Sequence, residues 1–138
     1  MSAAALGRSP QLRTVAVIHR DATLAPALHR HLPAGFDFKA LPSHSDITAL
    51  QEAGPLAAVV LDMDENGAIS SARLAALEGL RRSDPEIVLL GITAHDSDEI
   101  RARLSNAGAD DVVAAPPDAG ELTLALRRLF ERDRKSVV

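Results

Sequence analysis

One carboxylate in this 138-residue chain, Asp62, stands directly behind an apolar run, Ala57–Leu61. An aspartate at the tip of a buried strand is reachable from solvent yet partly desolvated, the setting in which carboxylates act as nucleophiles or bind cations. The plainer reading is a strand-ending aspartate with no chemistry. Asp64 lies two residues on. His19 and Arg20 follow another apolar run, Thr14–Ile18; Thr93, Ala94 and His95 follow Ile87–Ile92; Ala115 and Pro116 close Asp111–Ala115. If these runs are parallel strands, all of these residues gather at one edge, because ligands of open parallel sheets bind outside the carboxyl ends of the strands. The chain has no cysteine, which excludes a thiol nucleophile, a disulfide scaffold and thiolate-held metals.

The elements that must hold them follow from the patterning. Five strands are expected, at Thr14–Ile18, Phe36–Leu41, Ala57–Leu61, Ile87–Ile92 and Asp111–Ala115, four of them almost uninterrupted in hydrophobicity. Such runs suit strands covered on both faces. Helical spacing links Leu24, Leu28 and Leu32; then Ile69, Leu74, Leu77 and Leu80; then Ile100, Leu104 and Ala107; then Leu122, Leu126, Leu129 and Phe130. A weaker helix is expected around Ile47, Leu50 and Gln51. Ser45 or Asp46, Ser97 and Asp118 read as N-caps, and Gly35, Gly54 and Gly108 as helix stops. Alternating strands and helices with short connections predict an α/β, doubly wound parallel sheet with five helices.

Composition is that of an ordinary globular domain, with 46% hydrophobic and 25% charged residues. Fifteen basic against nineteen acidic residues give a net charge of -4, which does not favour a polyanion partner. Phe36, Phe38 and Phe130 are the only aromatics, too few for a base-stacking platform. Arg127, Arg128, Arg132, Arg134 and Lys135 are interleaved with Glu131 and Asp133 and read as a solvated helix end, not a nucleic-acid patch. No apolar run is long enough to span a bilayer and no secretory signal is evident, so a cytoplasmic protein is expected. The expected organisation is a leader at 1–11, one domain at 12–132, and a tail or linker at 133–138, with an output domain possible beyond.

The order of these features resembles the receiver domain of two-component response regulators, over roughly Arg13 to Arg132. Asp62 in Val59-Val60-Leu61-Asp62 matches the phospho-acceptor aspartate. Thr93-Ala94 after Gly91-Ile92 matches the Thr/Ser-Ala pair closing the fourth strand. Asn106-Ala107-Gly108-Ala109-Asp110-Asp111 matches the turn before the fifth strand, and Pro116 the proline of the Lys-Pro step. The resemblance implies a flavodoxin-like fold with strand order 2-1-3-4-5 and a cis Ala115-Pro116 bond.

Against that pattern, His19 and Arg20 stand where receivers carry two Mg²⁺-binding acids, and Ala115 where they carry the lysine that contacts the phosphoryl group. Val112 replaces the aromatic switch residue, and Asp64-Glu65-Asn66-Gly67-Ala68 replaces the proline-containing loop after the acceptor. An Arg20 guanidinium about 4 Å from a Mg²⁺ ion would repel it by roughly 8 kcal/mol at an effective dielectric of 20. That is about the free energy of a micromolar dissociation constant. An ion pair between Arg20 and Asp62 is expected instead. The implied function is an atypical receiver without a metal or cofactor, acting as a phosphorylation-independent interaction or dimerisation module. Its contact surface is expected on the fourth helix, fifth strand and fifth helix, with Ile100, Arg103, Val112, Leu122 and Arg127.

The residues also admit rival readings. Asp62 could accept phosphate with altered chemistry, using Asp21 or Asp64 for a weak metal site and Arg20 in place of the lysine. His19, His95 and Asp62 could hold a transition metal. His29 and His31 are two apart on a helix and cannot converge on one ligand. A small-molecule-binding domain lacks a glycine-rich phosphate loop after the first strand. For an autonomous enzyme, no base–nucleophile pair is apparent.

Overall fold

The computed structural model describes residues 13–31 and 34–137, with side chains as far as 132. The elements are β1 (Arg13–Ile18), α1 (Leu24–His31), β2 (Phe36–Leu41), a 3-10 turn at His44–Asp46, α2 (Ile47–Ala53) and β3 (Leu56–Asp62). There follow β4 (Asp64–Glu65), β5 (Ala68–Ile69), α3 (Ser71–Ser83), β6 (Val88–Thr93), α4 (Asp98–Ala107), β7 (Asp111–Ala114) and α5 (Ala119–Val137). Five strands form one parallel sheet in the order β2-β1-β3-β6-β7. This is the flavodoxin-like arrangement with five helices.

Side-chain alternation explains why the central strands read as continuous hydrophobic runs. Val15, Val17, Val60, Leu90 and Val113 point to one face, where Leu24 and Leu28 of α1 and Leu122, Leu126 and Leu129 of α5 cover them. Ala16, Ile18, Val59, Leu61, Leu89 and Val112 point to the other, under Ile47 of α2, Leu77 and Leu80 of α3, and Leu104 and Ala107 of α4. A strand buried on both faces needs an apolar residue at every position, not every second one. All three aromatics meet at one place: Phe36 lies 6.2 Å from Phe38 and 5.1 Å from Phe130, with the Arg13 guanidinium 5.8 and 5.5 Å from the Phe36 and Phe130 rings.

Several local expectations are corrected. Ile69 belongs to a short antiparallel hairpin, β4–β5, not to the helical stripe that starts at Leu74. Asn66 and Gly67 form its turn with φ of 55° and 80°, the two left-handed positions that an Asn-Gly pair supplies. Ser43, not Ser45 or Asp46, makes the side-chain cap of the 3-10 turn, while Asp46 precedes α2 without a side-chain capping bond. Ser97 caps α4 and Asp118 accepts the Glu121 amide, both as expected. Gly54 has φ of 162°, extended backbone rather than a left-handed stop. The expected tail is helical as far as Val137. Leu32, the leader at 1–11 and residue 138 lie outside the described residues. The Ala115-Pro116 bond is cis. Among the described residues no helix is long and apolar enough to cross a membrane.

Candidate functional site

Asp62 is the last residue of β3, the central strand, and its side chain is 9% exposed. Its Oδ1 accepts the Asp64 amide at 3.1 Å. Its Oδ2 faces two cationic or potentially cationic groups, His19 Nε2 and Arg73 Nη1, each at 3.9 Å. His19 Nδ1 accepts the Asp21 amide at 3.0 Å, so in the neutral ring the proton sits on Nε2, aimed at Asp62. The expected Asp62–Arg20 pair does not form: Arg20 is exposed, and the guanidinium facing Asp62 belongs to Arg73. At the end of β1, Arg20 has water as an alternative to the pocket, and a long side chain retains its entropy there.

Arg73 arrives by a different route. The Asn66-Gly67 turn folds the chain back on itself, and the Ser70 amide then donates to the Met63 carbonyl at 2.8 Å. Ser70 caps α3, its hydroxyl accepting the Arg73 amide at 3.2 Å and donating to Glu65 Oε1 at 3.0 Å. The first turn of α3 is thereby set beside the tip of β3. Arg73 Nη1 donates to the Asp62 carbonyl at 2.7 Å and lies 3.3 Å from the Asp64 carbonyl. Its position among three oxygens is that of a hard cation, whose usual ligands are carboxylates and carbonyls. The signal in sequence was the Asn-Gly pair, which predicts a hairpin; the 11-residue gap between Asp62 and Arg73 carries none by itself.

Asp64 is tied to the neighbouring strand. Its Oδ1 accepts the Thr93 hydroxyl and its Oδ2 the Ala94 amide, both at 2.7 Å. Thr93 Oγ1 in turn accepts the His95 amide at 2.9 Å, and the Thr93 carbonyl accepts the Ala115 amide at 2.9 Å. Thr93 is fully buried, Ala115 is half-buried against the core, and His95 is exposed. Asp21 is engaged at the start of α1: the Thr23 hydroxyl and then the Thr23 amide hold its carboxyl below the ordinary value of 3.8.

The Mg²⁺ ion that the resemblance implies does not fit these residues. Both carboxylate oxygens of Asp64 are bound to donors, and Arg73 occupies the carbonyls of Asp62 and Asp64. A guanidinium so placed opposes a divalent ion by the repulsion first ascribed to Arg20. The transition-metal reading also fails, because among the described residues no three His, Asp or Glu side chains converge. Of the residues expected on the contact surface, Val112 and Leu122 are corrected to buried core residues, and Ile100 is partly buried. Arg103 and Arg127 are exposed, as is Leu124, which stands outward on α5.

No protein-family model matches the chain, and no curated protein matches it in sequence. Solved structures do match. A response regulator from Thermotoga maritima superposes with a TM-score of 0.75 at 16% identity, covering 87% of this chain and 98% of that one. The BeF3-activated DrrB receiver domain gives 0.70 at 21% identity, with coverage of 88% and 99%. A Burkholderia pseudomallei protein described as pilus assembly-related gives 0.68 at 22% identity, with coverage of 88% and 91%. The likeness is one of fold: the chain has the doubly wound, five-stranded architecture of response-regulator receiver domains.

Proposed function

We propose that this chain is an atypical receiver domain that works as a phosphorylation-independent protein-interaction module in signal transduction. The observation that carries the reading is the engagement of Asp62: a buried carboxylate flanked by His19 Nε2 and Arg73 Nη1, beneath a guanidinium that also holds the Asp62 carbonyl. Phosphoryl transfer to a carboxylate requires a metal ion and a positioned cation to neutralise the transferring oxygens. His19 and Arg20 at the tip of β1 supply no oxygen ligand from their side chains, and Ala115 supplies no cation. Regulation then comes from a protein partner, a different ligand or self-association. The proposed contact face is α4, β7 and α5, with Arg103 and Arg127 as exposed charges and Leu124 as an apolar anchor on α5. The proposed setting is the cytoplasm.

Incubation with a small phosphodonor and Mg²⁺, followed by intact-mass measurement, tests this directly. No adduct is expected on the wild type or on Asp62→Asn. A phosphate adduct on the wild type that is absent from Asp62→Asn would overturn the reading in favour of phosphorylation with altered metal chemistry.

A further inference from the structure

We propose that the outer edge of β2 is a self-recognition strand. Two copies of this chain pair their β2 strands antiparallel about a two-fold axis at Phe38, joining two five-stranded sheets into one. β2 lies at the opposite edge of the sheet from β7, so the inference goes beyond the contact face proposed above and does not depend on it.

The strand is built as an open edge. Among the described residues β2 pairs only with β1, in an unbroken parallel register from Arg13 opposite Phe36 to Ile18 opposite Leu41. Every second residue of Phe36–Leu41 therefore turns its amide and carbonyl away from β1, towards the side where no further described strand lies. Phe36–Leu41 contains neither proline nor glycine, and its pairing with β1 has no bulge, so two of the devices that blunt an edge are missing. The other edge, β7, is four residues long and is followed closely by Pro116-Pro117.

The charges name the occupant and its register. A lysine alone on an open edge repels a second copy. Here Asp37 stands two residues before Lys39 on the same face, with Lys39 Nζ 3.3 Å from Asp37 Oδ2 and side chains 38% and 51% exposed in chain order. A two-fold axis normal to the sheet keeps every side chain on its own face, so it must pass through a residue. With the axis at Phe38, Asp37 of each copy stands opposite Lys39 of the other, their Cβ atoms about 4.5–5.5 Å apart. Each carboxylate then has two ammonium neighbours, one along its own strand and one across the pair. An axis one residue away, at Asp37 or at Lys39, sets like charges directly against each other. On the other face Phe38 meets Phe38 of the second copy, an aromatic cross-strand pair. That ring is half-buried against the core beside Phe36 and His29, so it is already oriented. Both faces of β2 thus favour one register, and the complement of the strand is the strand itself.

Charge reversal on this edge tests the assignment. Sedimentation equilibrium of the wild type should show a concentration-dependent approach to twice the monomer mass. Asp37→Lys sets lysine opposite lysine, and Lys39→Asp sets aspartate opposite aspartate. Each variant alone should dimerise at least about tenfold more weakly than the wild type. An equimolar mixture of the two should regain wild-type association as a heterodimer, and so should the double exchange Asp37→Lys with Lys39→Asp. Both side chains are exposed, and circular dichroism checks that the fold persists. Amide exchange on the wild type locates the interface independently of any variant: alternate amides of Phe36–Leu41 should gain protection as concentration rises, and those of Asp111–Ala114 should not. A wild type that stays monomeric at millimolar concentration overturns the proposal and leaves the edge to a strand of another protein. A dimer indifferent to both reversals, or weakened by them but not restored in the mixture, overturns it as well. Concentration-dependent protection at β7 in place of β2 overturns it in favour of the α4–β7–α5 face.

Discussion

Arg73 donates through Nη1 to the Asp62 carbonyl at 2.7 Å, and the same nitrogen lies 3.9 Å from the Asp62 carboxylate. One guanidinium thus bridges the central strand tip and the first turn of α3. Its Nε is buried without a hydrogen-bond partner, so the bridge is held by position more than by full satisfaction of its donors.

Removal of this bridge should be costly where removal of the sequence-favoured arginine is not. Arg73→Ala takes away a donor to two carbonyls and leaves the buried Asp62 with less compensation, so a loss of about 2–4 kcal/mol is expected. Arg20→Ala, at an exposed position, should stay within about 0.5 kcal/mol of the wild type. Urea unfolding of both variants checks the contrast, and equal losses would contradict it.

The hairpin turn offers a test through backbone conformation alone. A Cβ at Gly67 meets nothing within 4 Å, yet φ there is +80°, so Gly67→Ala should cost about 1–2 kcal/mol from the left-handed backbone. Gly54 also has open space, and its φ of 162° is extended. Gly54→Ala should therefore be neutral or slightly stabilising, by up to about 1 kcal/mol. Thermal denaturation of the pair measures the difference.

Two leucines of α5 should separate packing from recognition. Leu122 is fully buried, and Leu122→Ala is expected to cost about 2–5 kcal/mol in chemical denaturation. Leu124 is 48% exposed, and Leu124→Ala should leave stability within about 0.5 kcal/mol of the wild type. If α5 contributes a contact face, Leu124→Glu should instead shift the sedimentation profile or weaken capture of a partner, while the fold persists.

Acid titration addresses the start of α1. The Asp21 carboxyl is held below 3.8 by the Thr23 hydroxyl, then by the Thr23 amide. A carboxyl whose folded value is depressed adds stability above its unfolded value, and that contribution disappears as pH falls through the folded value. The window therefore lies below 3.8. Carboxyl-carbon NMR should place the Asp21 midpoint under that value, and Thr23→Val should move it upward. An unmoved midpoint in Thr23→Val would show that the Thr23 hydroxyl does not set it.

Much of the architecture was legible because it depends on local pattern. Strands covered on both faces must be apolar at every position, so Ala57–Leu61 and Ile87–Ile92 stand out as strands, and Asp62 and Thr93 fall at strand tips on pattern alone. Ser97 and Asp118 were readable because an N-cap bonds amides two or three residues away. Ile69 was misread because an apolar residue one turn before a helical stripe fits its period equally well. Leu122 shares the helical stripe of Leu126 and Leu129 that packs on the sheet, whereas Leu124 falls off that stripe and is exposed. The burial of Leu122 therefore followed from the pattern, and its place on a contact surface did not.

Alternation of short apolar runs with amphipathic stretches determined by itself that this chain builds a parallel sheet wrapped by helices, and it set which residues stand at the sheet's carboxyl edge. Which cation meets Asp62, and which donors claim Asp64, was decided only by tertiary structure. Arg20 is adjacent to a strand tip but free to turn into water, whereas Arg73 is carried into the pocket by a hairpin and a capped helix. Contacts between residues far apart in the chain depend on the rigid elements that deliver them, and side-chain type records nothing of that delivery.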